Sequence, residues 1–246
     1  MIFLCSGEGV SDLGGCLNQL GVCDGDSYRF GPLLVVLDNI VEMVLQYSPL
    51  AVHPAAYRYY SESALTQRLS EKKRERRGVI LPGRKHGVDT GLFYLNARML
   101  GEIALQLESE LDDKVIAVLF RDSDGTNSSP RDIWERKTLS MIEGFKSANF
   151  HRGVPMVPRP KSEVWFLCAM KDNPYQHCAS LENLPGNDSS PNSAKNMLSG
   201  VLQGEATADV LLRWLCENRL SVQDIAEQMP SFSAFYQRFV EVLNDL

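Results

Sequence analysis

The sequence predicts an α/β fold with a central, mainly parallel sheet flanked by helices, and three observations carry that expectation. Two short runs, Ile2-Phe3-Leu4-Cys5 and Val115-Ile116-Ala117-Val118-Leu119-Phe120, are apolar throughout rather than alternating, the pattern of strands covered on both faces. Each run ends in a polar turn that carries acids, Ser6-Gly7-Glu8-Gly9 after the first and Arg121-Asp122-Ser123-Asp124 after the second. Elsewhere apolar residues recur at helical spacing. Alternation of strand with helix implies parallel strands joined by right-handed crossovers.

Taken in order, Ile2 to Cys5 reads as a buried strand closed by a tight turn. Pro32 then precedes Leu33, Leu37, Ile40, Val41 and Val44 at helical spacing. Proline fits the first turn of a helix because its missing N–H has no partner there. Leu92, Leu95, Met99, Ile103, Leu107 and Leu111 define a second amphipathic helix, separated at Lys114 from the apolar run 115–120. Trp134, Thr138, Met141, Ile142 and Phe145 share one face of a third. Val154 to Val157 is a short strand, and Pro160-Lys161-Ser162-Glu163 opens a helix through Trp165 and Leu167. Residues 172–195, rich in Asn, Ser, Pro and Gly, read as a long loop. Leu211, Leu212, Leu215, Phe235, Phe239 and Val242 mark a helical tail that packs back onto the domain.

A chain of 246 residues with 44% hydrophobic and 23% charged residues has the composition of a globular domain that buries a core. The formal charge of −6 argues against a uniformly basic nucleic-acid binder but not against a basic patch on an acidic body. Such a patch exists over 68–85: Arg68, Lys72, Lys73, Arg74, Arg76, Arg77, Arg84 and Lys85, with Glu71 and Glu75 the interrupting acids. It is either a solvated helix face and loop or a phosphate-binding arm. The six cysteines, at positions 5, 16, 23, 168, 178 and 216, include no CxxC pair, and reduced thiols are expected. Met1 to Cys5 is too short for a signal peptide and lacks a basic flank. No apolar run approaches the roughly 20 residues that span a bilayer. A soluble, cytoplasmic protein without a membrane partner is therefore expected. His53, His86, His151 and His177 have no ligand-like spacing, and there is no Ser-His-Asp, P-loop or dinucleotide motif.

The acids carry the chemistry. Ligands of open parallel sheets bind at the carboxyl ends of the strands, where Glu8, Asp12, Asp122 and Asp124 all fall. Neighbouring strands would bring these carboxylates into one crevice. Two of them about 5 Å apart repel by about 3 kcal/mol at an effective dielectric of about 20. A hard cation resolves that conflict, and Mg²⁺ or Mn²⁺ suits an oxygen-only site.

Glu8-Gly9-Val10-Ser11-Asp12 after one strand and Asp122-Ser123-Asp124 after a later one resemble the Toprim domain. That domain is shared by type IA and II topoisomerases, bacterial primases and OLD-type nucleases. The rest resembles small, stand-alone Toprim-like proteins in four stretches: Pro158 to Leu167, Leu181-Glu182-Asn183-Leu184-Pro185, Pro191-Asn192-Ser193-Ala194-Lys195, and Pro230-Ser231-Phe232-Ser233-Ala234-Phe235. The resemblance implies one Toprim-like domain over 1–246. It implies a helical, basic insertion over about 24–90, because Asp12 and Asp122 stand further apart than in a minimal Toprim domain, and a helical C-terminal extension over about 196–246. Ser6-Gly7 departs from the hydrophobic residues usual there. Glu8 would be the Toprim glutamate, a metal ligand or general acid/base, and Asp122 and Asp124 the metal-binding pair, with Asp12 beside them. Glu163 is either a further acid at the crevice or a charge favoured at a helix N-terminus. The implied activity is a Mg²⁺- or Mn²⁺-dependent nuclease acting on DNA or RNA. A bacterial antiphage role beside an ATPase or other defence partner is implied by analogy.

Two other readings remain open. Asp122-Ser123-Asp124-Gly125-Thr126 fits the DxDGT signature of haloacid-dehalogenase-type phosphatases, with Asp122 as nucleophile and Asp124 as acid/base, although that motif normally opens its domain. A catalytically inactive Toprim scaffold that binds a partner protein is the other.

Overall fold

The computed structural model describes residues 1–75, 90–124 and 132–246. The elements run β1 (Ile2–Ser6), β2 (Gly14–Cys16), β3 (Val22–Asp24), β4 (Tyr28–Phe30), α1 (Pro32–Leu45), α2 (Pro49–Val52), β5 (Tyr57–Tyr60) and α3 (Glu62–Glu75). They continue with α4 (Gly91–Leu111), β6 (Val115–Phe120), α5 (Ile133–Ser147), β7 (Gly153–Met156), α6 (Glu163–Met170), α7 (Ala194–Leu202), α8 (Ala208–Glu217), α9 (Val222–Gln228) and α10 (Pro230–Asn244). The main sheet has the order β3-β5-β1-β6-β7, and β2 pairs with β4 in a separate ribbon. Strands β5, β1, β6 and β7 are parallel, and β3 closes the β5 edge antiparallel.

The apolar runs are covered on both faces. Phe3 and Cys5 of β1 and Ile116, Val118 and Phe120 of β6 point into a core shared with α1 and with α6 to α10. Ile2, Leu4, Val115, Ala117 and Leu119 point the other way, against α3, α4 and α5. Two-residue alternation thus splits each run between two helical layers, and Ser6-Gly7 does not disrupt β1, whose five residues are all buried. The tail packs as the sequence implies. Trp165 of α6 lies edge-on to Phe232 and stacked on Phe235, with centroids 5.0 and 6.0 Å apart. Its Nε1 donates to Ser231 Oγ at 2.9 Å.

Three expectations are corrected. The stretch 24–90 is not helical throughout. It supplies β5, hydrogen-bonded between β3 and β1, and α1, which buries Leu33, Leu34, Leu37, Ile40 and Val41. Tyr57-Arg58-Tyr59-Tyr60 is too short, and too interrupted by Arg58, to read as a central strand. The segment 172–195 is not all loop, because Cys178–Asn183 forms a 3-10 helix.

The cysteines are not all reduced thiols: Cys16 bonds Cys23 and Cys168 bonds Cys178, leaving Cys5 and Cys216 free. Sequence separations of 7 and 10 signal no framework, and the first pair joins β2 of the ribbon to β3 of the main sheet. These bonds remove the reduced-thiol argument for a cytoplasmic location. Among the described residues no helix is long and apolar enough to cross a membrane. Closing a loop of this length restricts the unfolded chain by about 2.5 kcal/mol in the chain-entropy account. Cys16→Ser is expected to lower unfolding free energy by about that amount in urea titrations, with no further loss on adding reductant if Cys168→Ser is also present.

Candidate active site

The register of the sheet decides which acids meet. Ser6 at the end of β1 pairs with Leu119 near the end of β6, so the turns that follow emerge side by side. Glu8 Oε1 accepts the backbone N–H of Asp122 at 2.5 Å. Beyond β6 the chain stays paired with the segment after β7. Arg121 N–H donates to Met156 O at 3.1 Å, Ser123 N–H to Pro158 O at 3.3 Å, and Asp124 N–H to Pro160 O at 3.1 Å. That zipper delivers the start of α6, where Ser162 N–H donates to Asp122 Oδ1 at 3.2 Å.

Asp12 reaches the same place from the other side. Its carbonyl accepts Leu33 N–H at 3.0 Å in the first turn of α1, and its Oδ1 accepts Ser162 Oγ at 2.6 Å. The segment is held tightly by two glycines. Gly14 has φ +97°, and a Cβ there would lie 2.1 Å from Arg29 O, while one on Gly31 would lie 2.2 Å from Asp12 O. Only glycine combines that backbone with that approach.

Glu8, Asp12, Asp122 and Glu163 thus converge at the carboxyl ends of β1, β6 and β7. Burial pushes the Asp122 carboxyl well above the usual carboxylate range, and the charges of Asp12, Glu8, Glu163 and Asp124 push it further. Burial likewise raises Glu163, with Asp12 adding to it. Glu8 opens to solvent on one side. Its partial burial raises its pKa, opposed by the Asp122 N–H and Arg121 and assisted by Asp124 and Asp12. Asp124 is exposed and turns towards Lys161, 3.7 Å away. Lys161 in turn pairs with Asp188 at 2.9 Å.

Cations that the sequence reading did not single out stand among these acids. Lys137 of α5 donates to Ser123 O at 2.6 Å, with its ammonium 4.8 Å from the Phe93 ring centroid. Burial lowers its pKa against the pull of Asp124, Glu8 and Asp122. Arg121 is buried, 3.7 Å from Glu62. A lysine on an amphipathic helix and an arginine after a strand look like solvated charges in sequence. Only the fold turns them inward.

The basic patch is divided. Arg68 donates to Gln106 at 3.3 Å and lies 5.4 Å from the Tyr60 ring centroid, and Lys72 is ion-paired with Glu102 of α4. Lys73 and Arg74 lie in the last turn of α3. Arg76, Arg77, Arg84 and Lys85 lie outside the described residues, as do Gly125 and Thr126 of the DxDGT signature.

Among the described residues no three His, Cys, Asp or Glu side chains are arranged to hold a metal ion. The reason is local. One oxygen each of Glu8, Asp122 and Asp12 is turned to a protein donor, and Asp124 to Lys161. The donor chemistry still fits a hard cation, being carboxylate oxygen throughout, crowded and partly desolvated. No protein-family model, curated protein or solved structure matches the chain.

The raised pKa values set a pH dependence. Between the ordinary carboxylate value of about 4 and the raised folded values, the native state binds more protons than the unfolded chain, so stability falls as pH rises. The thermal midpoint is expected to be highest near the acid end of this window and to drop towards neutrality. Asp122→Asn should flatten the drop, which pH-resolved thermal melts would show.

Proposed function

We propose that this protein is a divalent-metal-dependent nuclease of Toprim-like architecture that hydrolyses phosphodiester bonds of DNA or RNA at the carboxyl ends of β1 and β6. One observation carries the reading: the turns after two adjacent parallel strands meet, Glu8 Oε1 accepting the Asp122 backbone N–H, with Asp12, Glu8, Glu163 and Asp124 close enough to perturb the Asp122 carboxyl. Crowding acids in a partly buried crevice costs stability, and carboxyls with perturbed pKa values gathered at strand ends support a chemical role. Glu8, Asp122, Asp124 and Glu163 would hold Mg²⁺ or Mn²⁺. When bound, such an ion neutralises phosphate charge and makes water a better nucleophile.

The chain's own residues supply the rest. Lys137 places an ammonium beside the Asp122-Ser123-Asp124 turn, where it can donate to a phosphate oxygen. Glu8, open to solvent with a raised pKa, is suited to move a proton at the attacking or leaving oxygen. An antiphage role with an ATPase partner belongs to this reading through the resemblance alone. The test is cleavage by purified protein in Mn²⁺ or Mg²⁺, lost in Glu8→Gln, which keeps the acceptor for the Asp122 N–H.

The basic patch is the arm that holds the strand in this reading. Neutralising Lys72, Lys73, Arg76 and Arg77 is expected to weaken nucleic-acid binding and flatten its salt dependence. Each lost phosphate contact lowers the slope of log K against log salt by about 0.9 for duplex or about 0.7 for single strands. Unchanged slopes in fluorescence titrations would make the patch a solvated surface.

A second reading has one observation in its favour. Lys137 and Lys161 flank the aspartate pair, and Lys161 contacts Asp188, a set of cations and a further acid that a DxDGT phosphatase also needs. Glu8 has no part in that chemistry. Hydrolysis of a small phosphomonoester with trapping of an aspartyl-phosphate on Asp122 would establish it.

A further inference from the structure

Beside the acids lies a cleft of about 800 Å³ between the Gly7–Gly21 segment and α3. Its volume falls in the range of small-molecule sites. Its lining is chemically distinct from the phosphate-facing side. Among the described residues no lysine, arginine or histidine lines it, whereas Glu8 and Glu62 both do. Glu62 Oε1 already accepts Asn96 Nδ2 at 3.2 Å and lies 3.7 Å from Arg121, and Glu8 Oε1 accepts the Asp122 N–H, so the second oxygen of each glutamate remains to accept a neutral hydrogen-bond donor.

Asn18, Gln19 and Gln67 line it with amides, each carrying both an acceptor and a donor, and Ser61, Thr66 and Ser70 add hydroxyls. Among the described residues the side chains of Gln19 and Thr66 have no hydrogen-bond partner, while those of Asn18 and Gln67 are engaged locally. Val10 also lines the cleft and is 75% exposed, an apolar surface for the face of a flat ring. Glu8 belongs to both the cleft and the acid cluster, so a ligand filling the cleft abuts the place proposed for the scissile phosphate.

We propose that this cleft is a nucleoside subsite, selecting a base with an exocyclic amino group on one side of the cut. The two carboxylates are the reason for the amino preference, because a glutamate accepts from an amino group and not from a carbonyl. The amides and hydroxyls would complete the contacts to the base edge and the sugar. The proposal rests on the nuclease reading for its biological meaning, but binding to the cleft does not depend on cleavage.

The test uses free nucleosides, with no phosphate and no metal. Binding of cytidine against uridine, and adenosine against inosine, is measured by ligand-observed NMR titration with the full chain. Within each pair the amino-bearing member is expected to bind about tenfold tighter, because the carbonyl that replaces the amino group faces the carboxylates while the ring N–H of uridine or inosine offers them a single donor, and inorganic phosphate should not compete. Thr66→Trp, at an exposed position on α3, fills the cleft and should weaken binding at least tenfold. Gln19→Ala, on a loop, is a second probe should the first variant not fold. Glu62→Gln, which leaves Glu8 in place, should reduce the preference within each pair. Equal binding within pairs, or binding unaffected by both Thr66→Trp and Gln19→Ala, overturns the subsite. Nucleoside binding without cleavage of nucleic acid leaves the subsite standing and removes the nuclease reading. Cleavage without nucleoside binding does the reverse.

Discussion

Asp122→Asn is expected to lower Mn²⁺-dependent cleavage of nucleic acid about a thousandfold while leaving a folded protein that is more stable near neutral pH. The substitution keeps volume, and the amide oxygen can still accept the Ser162 N–H that Asp122 Oδ1 accepts at 3.2 Å. What is lost is a charge placed among Glu8, Asp12, Glu163 and Asp124. For catalysis that charge is a cation ligand, and losing several kcal/mol of charge stabilisation at about 1.4 kcal/mol per decade gives a loss of that order. For stability the same charge is a liability, because burial and like-charged neighbours hold its pKa well above the usual range. Activity and stability should therefore move in opposite directions. Single-turnover cleavage and thermal melts on one preparation read both, and a variant that cleaves normally would remove Asp122 from the site.

The second large effect is on Lys137. Lys137→Met keeps the aliphatic stem against Phe93, 4.8 Å from the ammonium, and removes the cation that donates to Ser123 O. If this ammonium meets phosphate charge that grows in the transition state, its loss costs roughly a hundredfold in kcat, with KM nearly unchanged. Lys137→Arg retains charge in a wider, planar group and should recover part of the loss. A role limited to holding the Ser123 carbonyl would instead show as lower stability with kcat preserved, which steady-state kinetics beside urea unfolding would separate.

The parts of this fold legible in sequence are those where one residue pattern has one structural meaning. Residues 115–120 are uniformly apolar because β6 is buried on both faces, and Glu8 and Asp122 were placed by following such runs to their ends. The α4 and α5 periodicities translate directly into helices packed on the sheet. The hidden parts depend on partners distant in sequence. Tyr57–Tyr60 becomes a central strand because β1 and β3 flank it, and nothing local to four residues shows that. Cys16 and Cys23 meet because β2 of the ribbon lies beside β3 of the main sheet. Ser162, which donates to both Asp12 and Asp122, has no signal beyond preceding a helix. Glu163 carried two meanings in sequence. Its proximity to Asp122, whose pKa it helps to raise, places it at the crevice as well as in the first turn of α6.

In the proposed function the acids after β1 and β6 form one metal-dependent phosphodiesterase site. This is tested most directly by incubating an end-labelled oligonucleotide with wild type and with Glu8→Gln, in Mn²⁺ and in chelator, beside a chromogenic phosphomonoester. Internal cuts by wild type in Mn²⁺ only, none by Glu8→Gln, and an untouched monoester are expected. Cutting in chelator, equal cutting by the variant, or no cutting by wild type at any Mn²⁺ concentration would contradict the proposed function.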